Sequence, residues 1–143
     1  MTVNADEVLL RRYMAEVYNA GNVTAVDELV SDDLRVEHPS VSATLRGRAG
    51  LTALIQELRR AFPDLRLQIE ELRSEGARIT ARVTVYGVYP SAQTGIALFE
   101  VREGKITVDS AAEDLLGHLE RHRRGSADRI ARKARKARRR QAD

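Results

Sequence analysis

Apolar residues recur at helical spacing through the first twenty positions. Leu9, Leu10, Tyr13, Met14, Val17 and Tyr18 predict a helix over residues 5–20. Asn19-Ala-Gly-Asn22 supplies its stop, because Gly21 takes a left-handed backbone at little cost. Tyr13 and Tyr18 lie five positions apart, so on an α-helix they occupy different faces. Tyr13 goes with Leu9, Leu10 and Val17 on the inward side. Val23–Val30 reads as a short second helix carrying Val26, Leu29 and Val30, and Ser31-Asp32-Asp33 ends it. Leu34–His38 reads as a short strand closed by Pro39. After a polar loop, Leu51, Leu54, Ile55, Leu58 and Phe62 form the stripe of a third helix over Gly47–Phe62, which Pro63 ends.

From there the period changes to two. Leu65, Leu67 and Ile69 alternate with Arg66, Gln68 and Glu70, the signature of a half-buried strand. Gly76 marks a turn. Arg78–Tyr89 is the next strand, with Ile79, Ala81, Val83 and Val85 on one face and Thr80, Arg82, Thr84 and Tyr86 on the other. Pro90–Thr94 is a loop. Ile96–Arg102 and Lys105–Ala111 are two further strands joined by a tight turn at Glu103-Gly104. Short turns between neighbouring strands imply an antiparallel sheet. Helices segregated from such a sheet make the class α+β.

Bulk properties narrow the function. A chain of 143 residues with 43% hydrophobic content suits one domain. It has no cysteine, so a disulfide framework, a thiolate metal site and a cysteine nucleophile are excluded. Its three histidines, His38, His118 and His122, are too scattered to suggest a zinc site. No metal or cofactor is indicated. The N-terminus lacks the order of a signal peptide, and no apolar run approaches the roughly 20 residues that span a bilayer. The expected location is cytoplasmic.

The net charge of +3 hides a division. Residues 121–143 hold 11 of the 24 Lys+Arg and two of the 21 acids. Residues 1–120 therefore carry 13 basic and 19 acidic side chains, a body near −6 beside a tail near +9. The body is not a nucleic-acid binder by charge. The expected organisation is a domain over 1–120 and a basic tail over 121–143. Alanine is nearly the only apolar residue in RIARKARKARRR, and like charges at neighbouring positions repel, so the tail is expected to be disordered alone. It is either a solubilising terminus or a binding element for an anionic partner.

Five segments, in order and spacing, carry a family likeness. They are Val17-Tyr-Asn-Ala-Gly-Asn22 with Ser31-Asp-Asp-Leu34; Val36-Glu-His-Pro39; Ala61-Phe-Pro-Asp-Leu-Arg-Leu67; Thr94-Gly95-Ile96 through Phe99 with Glu103-Gly-Lys-Ile106; and Asp114-Leu-Leu-Gly117. Over about residues 8–117 the chain resembles the SnoaL-like polyketide cyclases of the nuclear-transport-factor-like superfamily. The resemblance implies three N-terminal helices against a strongly curved sheet, forming a cone-shaped pocket for a small apolar molecule. It also implies a homodimer through the outer sheet face.

The family's cyclases carry a His-Trp-Asp-like segment on the last strand, with the Asp as general base. Aligned without a gap from Gly104 to Gly117, that Asp falls on Ala111 and the His on Asp109. A shift of two residues places Asp109 on the base itself. Side chains two apart on a strand share a face roughly 6–7 Å apart, so both alignments nominate Asp109. A second typical histidine falls on Tyr89, while His38 keeps a typical polar pocket position. A carboxylate in an apolar pocket is a stronger base than one in water. Asp109 with His38 as catalytic groups, and Tyr13, Tyr89 and Phe99 as substrate-binding groups, would suffice for a cofactor-independent cyclase or isomerase. Such chemistry needs a base next to a carbonyl and a donor for the enolate oxygen. Glu113 ranks below Asp109, and Asp114 reads as a helix cap. The alternative is a non-catalytic ligand-binding or interaction protein whose basic tail binds an anionic partner.

Overall fold

The fold is described from a computed structural model over residues 4–37 and 45–111. His38, the end of the expected domain and the whole basic tail lie outside the described residues.

The first helix starts where a cap allows it. The Asn4 side chain accepts from the backbone N–H groups of Asp6 and Glu7, at 3.0 and 3.1 Å. Asp6 and Glu7 in the first turn complement the helix dipole. Helix α1 runs Ala5–Arg12 and continues without a break as a π-helix over Tyr13–Asn19. The expected single helix therefore changes register halfway. Beyond its end, Ala20 N–H bonds to Ala15 O, five residues back, at 3.0 Å. Gly21, at φ +67°, turns the chain away, as its position in the sequence required.

Next come a 3-10 turn, Val23–Ala25, and one α-turn, α2, Val26–Leu29. The expected second helix stops one residue early, at Leu29. Val30 opens strand β1, Val30–Glu37. Ser31, Asp32 and Asp33 are thus part of a strand rather than a helix end. Between Val30 and Arg35 this strand slips against its neighbour, which accommodates the polar run while Val30, Leu34 and Val36 stay buried. Strand β2, Leu45–Arg46, precedes helix α3, Gly47–Ala61, whose stripe of Leu51, Leu54, Ile55 and Leu58 is buried.

Strands β3, Arg66–Glu75; β4, Arg78–Tyr86; β5, Gln93–Arg102; and β6, Lys105–Ala111, form an antiparallel meander. The sheet order is β2-β1-β6-β5-β4-β3. The expected antiparallel meander is present, and to it β1 adds one parallel pairing with β6, so the curved sheet is mixed. Turn lengths report only local pairings, and this one joins strands some seventy residues apart. A bulge between Ile69 and Glu71 switches the inward set on β3 from Leu67 and Ile69 to Leu72 and Ser74. A second irregularity lies between Glu100 and Val101 on β5. Bulges of this kind bend a sheet and sharpen its twist.

Strand β4 ends at Tyr86, not at Tyr89. Gly87 takes φ +79°, and a Cβ there would stand 2.2 Å from the carbonyl oxygen of Asp64. The chain must turn at that glycine, so Tyr89 falls in the bend beyond the strand. The helices cover one face of the sheet. Ile79, Ala81, Val83 and Val85, read as one face of a strand, are all buried in the shared core with Phe99, Val101 and Ile106.

Candidate functional site

Strand β6 places Asp109 in the middle of the sheet. Its register partners are Phe99 on β5 and Val36 on β1, so an acid sits in a row between two apolar side chains. All three are buried, and Asp109 is 3% exposed. An unpartnered carboxyl there would be costly. The sequence answers with two hydroxyls from across the core. Tyr13 and Tyr18 both donate to Asp109 Oδ2, at 2.5 and 2.7 Å. Those lengths are typical of hydroxyls donating to a carboxylate. Oδ1 is the oxygen that neither tyrosine holds.

The π-helix makes this convergence possible. Five residues of α-helix turn a side chain by about 140°. A helix with five-residue hydrogen bonds returns residues five apart to nearly the same side. The Tyr13 and Tyr18 rings therefore stand edge to face, with centroids 5.5 Å apart and planes at 89°. Phe99 presses edge-on against Tyr13 at 6.3 Å. The earlier placement of the two tyrosines on different faces assumed an unbroken α-helix and is corrected here.

Electrostatics keeps the hydroxyls as donors. Burial pushes both tyrosines well above their ordinary value of about 10, and the negative charge of Asp109 pushes them further. Both stay protonated across the neutral range. Among the described residues, no buried side-chain nitrogen or oxygen lacks a hydrogen-bond partner.

Of the residues singled out in the sequence, Asp109, Tyr13 and Phe99 come together. Tyr89 is half-buried against the core in the bend after β4, beyond the strand that was expected to include it. His38 lies outside the described residues. Tyr18 was not among the candidates. Its burial was legible, since Leu10, Tyr13, Met14, Val17 and Tyr18 stand at the i, i+3, i+4, i+7 and i+8 positions of one core-facing stripe. Among the described residues no group of three or more acids or histidines could hold a metal, and no helix is long and apolar enough to cross a membrane.

Solved structures share this architecture. A proposed polyketide cyclase from Acidithiobacillus ferrooxidans superimposes with a TM-score of 0.69 at 21% identity, over 87% of this chain and 99% of that one. IdmH, a proposed polyketide cyclase from Streptomyces antibioticus, gives 0.64 at 20% identity, over 82% and 99%. A proposed ketosteroid isomerase from Kribbella flavida gives 0.63 at 24% identity, over 76% and 78%. At such identities the likeness establishes the fold. No curated protein matches the sequence. The SnoaL-like domain model, however, matches residues 10–108, from the first buried leucine of α1 to the residue before Asp109. By that match across most of its length, the chain belongs to the SnoaL-like domain family.

Proposed function

We propose that the chain is a cofactor-independent cyclase or isomerase that acts by general acid-base chemistry on a polyketide-like or other small apolar carbonyl substrate. The observation that carries this reading is the buried carboxyl of Asp109, held through one oxygen by Tyr13 and Tyr18. Two donors on Oδ2 fix the plane of the carboxyl and leave Oδ1 to take a proton from the carbon next to a substrate carbonyl. The same carboxyl then returns that proton, to another carbon in an isomerisation or to the new alkoxide in an aldol closure. His38 is the proposed donor to the enolate oxygen. Phe99 and the ring of Tyr13 offer the apolar wall that a polyketide-like ring would meet.

Asp109 is only 3% exposed, so its carboxyl is closely enclosed. That enclosure favours a second reading, a non-catalytic ligand-binding or interaction protein in which the Tyr–Asp–Tyr cluster is a satisfied polar core. Turnover of a panel of aromatic polyketide-like carbonyl compounds by wild type and Asp109→Asn separates the two. The enzyme reading expects turnover that falls by roughly 10²–10⁴-fold in the variant. Rates no higher than buffer in both proteins would favour the second, and equal rates above buffer would remove Asp109 from the chemistry.

A homodimer through the outer sheet face and a cytoplasmic location belong to the same proposal. Support for the dimer comes from Ile96 and Leu98, which are 41% and 50% exposed on adjacent outward positions of β5.

A further inference from the structure

We infer that Asn19 is a positioning residue for the Tyr18–Asp109 contact, because its side-chain amide locks the end of the π-helix onto the free edge of β3. Asn19 is the last residue of that helix. Its Oδ1 accepts from Leu67 N–H at 2.7 Å, and its Nδ2 donates to Leu67 O at 2.9 Å. β3 is an edge strand of the sheet. In an antiparallel ladder, every second residue turns both its N–H and its C=O away from its partner. Leu67, in register with Val85 of β4, turns both toward the edge. A single side chain there meets the two groups that another strand would otherwise pair.

Closing the helix does not require this amide. Ala20, Gly21 and Asn22 already return their N–H groups to Ala15 O, Val17 O and Glu16 O. Gly21 provides the left-handed turn. The Asn19 side chain is therefore free to bind the sheet, and Tyr18 is its immediate neighbour. Releasing the amide lets the segment relax toward α register, which carries Tyr18 away from Tyr13 by up to about 140°. Tyr13, anchored nearer the α-helical part and wedged against Phe99, keeps its place on Asp109.

The inference rests on the proposed role of Asp109, yet its test needs no substrate. In the full chain, the buried hydroxyl protons of Tyr13 and Tyr18 are observed by proton NMR and assigned with Tyr13→Phe and Tyr18→Phe. In Asn19→Ala the Tyr18 hydroxyl signal moves toward the free-phenol position or is lost, while the Tyr13 signal stays. Asn19→Asp keeps the acceptor for Leu67 N–H but loses the donor to Leu67 O, and displaces the Tyr18 signal less. A folded variant with both signals unmoved overturns the inference. Should neither variant fold, amide exchange in the wild type decides. The clamp requires Leu67 N–H to exchange as slowly as the paired amides of β4, and exchange at the rate of an open edge overturns it. Retained turnover in Asp109→Asn would remove the catalytic reading and leave these outcomes untouched.

Discussion

Tyr13 and Tyr18, five residues apart on one helix, donate to the same oxygen of Asp109, at 2.5 and 2.7 Å. Sharing one acceptor couples them. Either phenylalanine variant leaves the buried carboxyl one donor, whereas the double variant leaves it neither tyrosine. Tyr13→Phe and Tyr18→Phe are each expected to cost about 1–3 kcal/mol in urea unfolding. Tyr13→Phe/Tyr18→Phe together should cost more than the sum, by on the order of 1 kcal/mol. Additive losses would mean that the two bonds do not act on a common group.

The raised tyrosines set an alkaline limit on stability. Folded Tyr13 and Tyr18 hold their protons well above the unfolded value of about 10. Above that pH the unfolded chain binds fewer protons than the native one, so stability falls as pH rises. Their contribution is complete below about pH 10 and declines above it. An ultraviolet titration should show the phenolate signals of Tyr13 and Tyr18 appearing together with loss of the fold, each removed by its phenylalanine variant. Ionisation of both while the circular dichroism stays native would contradict the burial described.

Two glycines with positive φ separate steric cost from conformational cost. At Gly87 an added Cβ meets the Asp64 carbonyl, and at Gly76, φ +61°, it meets nothing within 4 Å. Gly76→Ala is expected to lose about 1–2 kcal/mol for the left-handed backbone alone. Gly87→Ala must also displace backbone and should lose at least about 2 kcal/mol beyond that. Thermal unfolding of the two variants side by side gives the comparison. Equal losses would show that the turn after β4 yields easily.

Leu98 tests the outer face. It is half-exposed among the charged pairs that β4 and β5 present outward, such as Arg78 with Glu100 at 3.5 Å. Leu98→Arg should convert a dimer to a monomer by light scattering while leaving the fold intact. A monomeric wild type would end the dimer proposal.

How far the sequence could be read depended on the range of the interaction. The family resemblance nominated Asp109, with period two only tying it to the face of Ala111, and helical spacing turned Tyr13 inward because that pattern is local. Tyr18 was missed because its contact with Asp109 depends on a change of helical register, which the ordinary i, i+3, i+4, i+7 spacing of the apolar residues does not show. The parallel pairing of β1 with β6 joins distant segments, so no turn announced it. Ser31-Asp32-Asp33 looked like a helix stop, yet a slipped ladder accepts three polar residues at little cost. Tyr89 was misplaced since the alternation appeared to run on through Gly87, whose contact with Asp64 forces the turn.

As the proposed base, Asp109 must be reached by a carbonyl substrate. Deuterium exchange at the carbon next to the carbonyl of an aromatic β-diketone, followed by NMR in D2O, tests that first step without the true substrate. Exchange should be faster with wild type than in buffer and fall by roughly 10²-fold or more in Asp109→Asn. Exchange no faster than buffer, or equal in both proteins, would contradict it and leave Asp109 a structural acid.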